Sequence, residues 1–487
     1  MTRRAAPLRP AQWALAAALV FAGSWLRIRG AQGEMWLDEV WSLNIAKDLT
    51  AWHQALWAVF NDNSHPLNTT YLHLVGPDAE PWAYRLLSIL AGTAGVAAVG
   101  LLMRRSGAAA MFLAMLLAAT LFPLVNFGSE ARGYALMALC AYAVFAIVDA
   151  DPPARKARWA FTAAVVLGAW SHLTIIPIAA VLALAYGMRR RQAGRGWFDA
   201  LGDVVRLTAP TAGFLSLYIL AFLYTIRRPG AMVEFGGTTL HCGPGGCFVT
   251  ALDAMARFCS GGFGESAVPG IFTAAFLALT WGCVTYLYRE KHARRHLYAA
   301  VFVGAPLLFL AMTQVSTQHA ARYFLGIVAF LPLLLAEVVT ALRYRGRIPR
   351  LTAGIAVLAL VTANLWAFSQ FQKTGRGDYA AALATLTADR QTGPLIVGTD
   401  MEWQLQTVLN HTARRLGPDL EIRYAPSPLK TVARPPWLVL VKRKPWNLPA
   451  DLCLDDGARY ERKSLHVYWG MSGTHWGVYR LSDAGCP

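Results

Sequence analysis

Leu86–Met103 reads LLSILAGTAGVAAVGLLM and runs straight into Arg104-Arg105. Eighteen residues without a charge are about what a helix needs to cross a hydrocarbon core of roughly 30 Å, and a pair of arginines holds such a helix end among headgroups. The pattern recurs on both sides. Further apolar runs lie at about 11–26, 107–126, 131–150, 207–226, 268–288, 297–315, 323–341 and 350–369. The stretch Trp159–Met188 is too long for one helix and short for two. Ser171-His172-Leu173-Thr174 and Pro177 interrupt it, so it reads as two short helices meeting at a break. About eleven spans result.

Composition agrees. Of 487 residues, 56% are hydrophobic and only 15% charged, with a mean hydropathy of +0.38. A soluble protein of this size carries roughly a quarter charged residues, so disorder, coiled coil and an ordinary cytosolic enzyme are excluded. The chain is nevertheless basic, with a formal charge of +17. Such a charge implies either nucleic-acid binding or cytoplasmic loops, and the distribution of the cations decides. Arg3, Arg4 and Arg9 precede the first span. Arg104-Arg105, Arg155 to Arg158, Arg189 to Arg195, Arg289 to Arg295 and Arg343 to Arg350 then fall in alternate loops. They form no single patch, so the sequence predicts no nucleic-acid partner. The topology predicted is a multi-pass inner-membrane protein with a cytoplasmic N-terminus. The first apolar run is kept as a span because Trp25-Leu26-Arg27 follows it, with no small-residue cleavage site.

Three segments on the opposite, outer side are long enough to hold structure. They are loop 27–85, with an amphipathic stretch around Asn44–Phe60, the Gly-rich loop 227–267, and the tail. The domain division predicted is a transmembrane unit over 1–370 and a small periplasmic α/β domain over 371–487. Within the tail, helices are expected at Asp378–Arg390 and Glu402–Leu416. Strands are expected at Leu395–Thr399, Glu421–Tyr424, Trp437–Lys442 and Leu465–Trp469, and Asp378 reads as a helix N-cap. An oxidising outer compartment allows Cys242–Cys247 and Cys453–Cys486 bridges.

Charges beside membrane spans are costly and tend to be functional, and here they gather on the outer side. Loop 27–85 opens with Trp36-Leu37-Asp38-Glu39-Val40-Trp41, contains Asn63-Ser64-His65-Pro66-Leu67-Asn68 and closes with Trp82-Ala83-Tyr84-Arg85. The next outer turns read Gly128-Ser129-Glu130-Ala131-Arg132-Gly133-Tyr134, then Ser171-His172, then Gln318-His319-Ala320-Ala321-Arg322-Tyr323. Singly, each has an ordinary reading: a solvated helix start for Asp38-Glu39, interfacial anchors for Arg85, Arg132 and Arg322, a satisfied buried histidine for His172, a turn for His65-Pro66. Together they suit a general base beside a cationic pocket for a phosphate.

These motifs, in this order, resemble those of the polytopic GT-C glycosyltransferases. The branch concerned contains the protein O-mannosyltransferases and the lipid A aminoarabinose transferase, and the likeness covers roughly residues 11–370. Its acidic pair is matched by Asp38-Glu39, its His-Pro-Pro-like turn by His65-Pro66, and its Arg-Leu-x-Ser by Arg85-Leu86-Leu87-Ser88. Its Glu-Ala-Arg-x-Tyr is matched by Glu130 to Tyr134, its Thr-His break by Ser171-His172, and its Arg-Tyr by Arg322-Tyr323. Leu67 and Ser171 depart from the pattern. The resemblance implies a polyprenyl-phosphate-linked sugar as donor, with Asp38 as base or acceptor-orienting carboxylate and Glu39 orienting it or the sugar. His65, Arg85, Glu130, Arg132, Tyr134, His172, Arg322 and Tyr323 are then substrate-binding. Asp38, Glu39 and His65 could hold a divalent metal, though no spacing demands one. The expected function is inverting transfer of a sugar to a protein, glycolipid or polysaccharide acceptor on the periplasmic face. A transporter or flippase is the alternative, disfavoured because the polar residues cluster at the outer ends of the spans instead of mid-membrane.

Overall fold

The computed structural model describes residues 7–57, 63, 65–151, 154–226, 244–262, 268, 270–312, 321–388, 393–417, 420–425, 434–442 and 445–486. The chain divides into two compact units, one of residues 1–31 with 45–368 and one of residues 32–44 with 369–487.

The first unit is helical. Among the described residues, five helical stretches, Pro10–Gly30, Pro81–Ser106, Trp197–Ala221, Ile271–Arg289 and Arg347–Thr387, are long and apolar enough to cross a bilayer. A sixth crossing arises if Ala321–Val328 and Leu331–Leu342, bent by 42°, count as one. The other expected spans are shorter or broken helices. The expected break at Ser171–Thr174 separates Ala154–Ser171 from Ile175–Gln192, and 107–126 divides into Ala108–Thr120 and Phe122–Phe127 around Pro123. Ala300–Gly304 is a π-helical turn between Arg295–Ala299 and Ala305–Met312. Most of loop 227–267, the Cys242–Cys247 bridge, Ser64 and residues 313–320 lie outside the described residues.

Two buried arginines of the helical unit show how charge is accommodated in a low-dielectric interior, by pairing with backbone or with carboxylates. Arg27 donates to the carbonyls of Gly23 at 2.8 Å and Ala118 at 3.2 Å. It fits because Gly92 and Gly128 lack side chains: a Cβ on either would fall 2.5 and 2.7 Å from its Nε. Arg294, expected among the solvated loop cations, is instead buried. Its guanidinium donates to Asp149 at 2.8 Å, Glu337 at 3.0 Å and the Leu102 carbonyl at 2.8 Å, while Ser106 donates to Glu337 at 2.8 Å. One cation thus ties together the ends of Pro81–Met103, Tyr134–Ala150 and Leu331–Leu342.

The second unit carries a six-stranded sheet. Its strands are β1 (Leu395–Thr399), β2 (Ile422–Tyr424), β3 (Trp437–Lys442), β4 (Asp451–Cys453), β5 (Arg459–His466) and β6 (His475–Leu481), in the order β2-β1-β3-β6-β5-β4. β2, β1 and β3 run parallel, and β6, β5 and β4 continue antiparallel. Helix Glu402–Leu416 makes the β1-to-β2 crossover that parallel pairing demands. Leu438, Leu440, Tyr460 and Tyr479 form one core with Leu448 and Ala458, and Cys453–Cys486 closes a disulfide across the last strands. Three strand expectations hold almost to the residue. The fourth moves: the strand is Arg459–His466, with Val467–Trp469 beyond its end. β4 and β6 were not predicted.

Arg294→Met leaves Asp149 and Glu337 buried without their shared counter-charge, a loss of about 3–5 kcal/mol for a broken buried ion pair. The expected outcome is a thermal unfolding midpoint lowered by several degrees in detergent, with a smaller change for the exposed-loop variant Arg191→Met.

Candidate functional site

The site in the helical unit is built where irregular backbone from three places meets. His65 ends the loop before helix Pro66–Val75, Gly128–Gly133 is the turn before helix Tyr134–Ala150, and His172–Thr174 is the break before helix Ile175–Gln192. Gly133 makes the meeting possible. A Cβ there would lie 1.9 Å from the carbonyl oxygen of Ser171, so only glycine lets the two turns touch. Their contact sets Tyr134 against His172 with ring centroids 4.4 Å apart. His65 stacks on His172 at 5.0 Å and meets Tyr134 at 5.6 Å, while Tyr323 approaches His172 at 5.8 Å.

Two cations border these rings. Arg132 lies with its guanidinium carbon 5.0 Å from the Tyr134 ring centre, and Arg322 lies 5.8 Å from that of Tyr323. Arg132 is fixed by Asn63, whose Oδ1 accepts its Nη2 at 2.6 Å, and by Glu130 at 3.7 Å. Its own carbonyl accepts from Ser88 at 2.8 Å, and the neighbouring Ala131 carbonyl accepts from Asn68 at 2.9 Å. Arg85 is buried and donates to the Ala31 carbonyl at 2.9 Å.

The electrostatics favour an anion. His65 is held well below the usual histidine pKa, first by burial and then by the positive charges of Arg132, His172 and Arg322. It is therefore neutral in a cationic pocket. The Thr174 amide donates to His172 Nδ1 at 3.2 Å, so the neutral ring carries its hydrogen on Nε2. His65 Nε2 and the Tyr134 hydroxyl are buried and have no hydrogen-bond partner among the described residues. Buried polar atoms are normally satisfied, and these two belong to neighbouring rings of the cluster, with centroids 5.6 Å apart.

Asp38 and Glu39 belong to the other unit. They lie in the first turn of helix Leu37–Lys47 and are 7% and 0% exposed. Glu39 Oε2 accepts the Trp36 amide at 3.2 Å, which is half of a capping box, so one of its oxygens serves its own helix. Asp38's carbonyl accepts from Ser42 at 2.8 Å. Among the described residues no group of three or more His, Cys, Asp or Glu could hold a metal ion.

No protein-family model matches this chain. No curated protein matches it in sequence. Its fold, however, matches a solved one: the apo crystal structure of ArnT from Cupriavidus metallidurans, with a TM-score of 0.54 and 13% identity over 96% of this chain and 98% of that one.

The chain has the ArnT fold.

ArnT is a lipid A aminoarabinose transferase of the GT-C superfamily, the branch to which the ordered motifs pointed. A second structure from that organism, ArnT bound to undecaprenyl phosphate, aligns with a TM-score of 0.46 and 14% identity over 96% of this chain and 97% of that one. At such identity the likeness is one of fold alone. In this chain His65, Arg132, Tyr134, His172 and Tyr323 come together in one cluster, with Arg322 on its margin. Asn63 and Thr174 complete it, and sequence reading singled out neither as a site residue. Asn63 was visible only as a neighbour of the His65 turn.

Two outcomes check the cluster. Gly133→Ala forces the two turns apart, and the protein is expected to lose a large part of its affinity for a phosphate-bearing lipid in a binding titration. His65, with its folded pKa depressed, contributes its full stability above about pH 6.5, and that stability is lost as pH falls toward the folded value. Unfolding of the wild type should weaken below that pH by up to about 1.4 kcal/mol per pH unit for this group. His65→Gln should flatten the profile.

Proposed function

We propose that the chain is an inner-membrane glycosyltransferase that moves a sugar from a polyprenyl phosphate to an acceptor on the periplasmic face. The observation that carries this reading is the buried cluster of His65, Tyr134, His172 and Tyr323 bordered by Arg132 and Arg322, in which His65 Nε2 and the Tyr134 hydroxyl have no hydrogen-bond partner among the described residues. Its chemistry fits a phosphate: arginine forks bind the anion, and a neutral His172 offers a donor hydrogen. The ArnT fold and the ordered motifs support the same donor class. The loop cations support a cytoplasmic N-terminus and an outer tail.

In this mechanism an acceptor hydroxyl attacks the anomeric carbon. The bond from that carbon to the phosphate oxygen breaks, and the polyprenyl phosphate leaves with the electron pair. Arg132 and Arg322 neutralise the charge that grows on the leaving phosphate. Asp38 takes the proton of the hydroxyl, and a single displacement inverts the sugar's configuration. Glu39 holds the start of the helix that carries Asp38. Glu130 keeps Arg132 in register.

Vesicles loaded with a polyprenyl-phosphate sugar and a labelled-sugar readout test this directly. Asp38→Asn is expected to lower transfer by about 100-fold or more while leaving donor binding intact. Arg132→Ala is expected to weaken donor binding by about tenfold or more. Full transfer by Asp38→Asn would overturn the mechanism.

A further inference from the structure

Residues 32–44 are an insertion in the helical unit's own sequence, yet they pack with the tail. Two joints hold them. At the first, the Glu34 carboxylate accepts the amide hydrogens of Tyr379 and Ala380, the latter at 2.9 Å. These are the first two amides of helix Tyr379–Thr387, which a helix leaves unsatisfied and a local N-cap side chain ordinarily satisfies. Asp378 sits in that N-cap position, as the sequence predicted. Its backbone is left-handed, with φ of 50°, and its side chain makes no cap bond. The helix start is thus capped from a segment far upstream, with a suitable local residue turned aside.

At the second joint, Trp41 meets Trp403 edge-on with ring centroids 4.9 Å apart. Trp403 lies in the first turn of helix Glu402–Leu416. Asp38 lies between the two joints, four residues after Glu34 and three before Trp41. The Tyr379 hydroxyl is pushed up to about 12, chiefly by burial and further by the negative charges of Glu34 and Asp38. Tyr379 is itself tied to β6's approach through Thr474 at 3.2 Å.

We infer that the C-terminal domain sets the position of Asp38, with Glu34 and the Trp41–Trp403 pair as positioning residues for the base. The inference rests on the transferase reading for its kinetic consequence, but not for its structural one. A segment tied by one carboxylate before Asp38 and one aromatic contact after it holds its side chains within a narrow range, and displacement of a base by about 1 Å can cost on the order of 100-fold in rate. The tail would then be part of the catalytic apparatus and not an appended module.

The experiment uses full-length protein in vesicles with donor and acceptor varied separately, together with amide hydrogen exchange. Glu34→Ala and Trp403→Ala are expected to lower kcat by about tenfold or more with the donor KM unchanged. Glu34→Gln, which keeps one acceptor oxygen, and Trp403→Phe, which keeps an aromatic edge, should recover much of the loss. In the alanine variants exchange should rise in residues 35–44 while β1 and β3 stay protected. Unchanged kcat with unchanged exchange in 35–44 would overturn the proposal, and so would a loss that falls wholly on donor KM. If an alanine variant unfolds the tail, the Gln and Phe variants decide by the same two readouts. Should the wild type show no transfer at all, the transferase reading fails and the exchange result alone decides whether the tail anchors the acidic helix.

Discussion

A polar backbone group left unpaired in a hydrocarbon environment costs several kcal/mol, and that constraint shapes most of the helical unit. Helices satisfy their own amides and carbonyls, so irregular backbone survives only where one turn can lean on another. The turn Gly128–Gly133 and the break His172–Thr174 do this, with Gly133 directly against the Ser171 carbonyl. Because those are the places where chain direction changes, they are also where Arg132, Tyr134 and His172 can project together. The cluster is a consequence of how the broken helices close on each other.

The same constraint sorts the charges. A net charge of +17 first suggests a large anionic partner. Many of the cations instead lie in short segments between the apolar runs, and others are spread over the tail. Arg294 shows that loop position does not guarantee solvation: two carboxylates and a carbonyl draw it inward, where it fastens three helix ends. Arg132 and Arg322 differ from both groups. They lie against tyrosine rings beside neutral histidines, and their field has an effect on His65 that a solvated arginine would not have.

How much of this was legible in the sequence depends on the range of the interaction. Apolar runs, the break at Ser171–Thr174 and the apolar strands β1 and β3 are local patterns; the break and both strands appear where expected, while several of the runs form shorter or broken helices. β6 escaped because Gly477 and Arg480 interrupt its apolar alternation, and β4 because three residues are too few to show a period. The site residues were found through charge and aromatic type at span ends, although type alone could not say which of them share a cluster. Asn63 carries no such mark, and its role exists only through Arg132. Asp378 is the sharpest case. Its residue type and position announce a cap, but the left-handed backbone turns its side chain away and Glu34 takes the place.

The sequence by itself determined that this chain crosses a membrane repeatedly, where its breaks fall, and which side chains are costly enough to demand a purpose. Those follow from hydropathy, periodicity and charge, which act between neighbours along the chain. The tertiary structure alone decided that His65, Tyr134 and His172 cluster, that Arg294 is buried, and that residues 32–44 pack with the tail. Those outcomes depend on close approach between segments tens to hundreds of residues apart, and no local pattern encodes the distance at which a missing Cβ or a borrowed carboxylate becomes decisive.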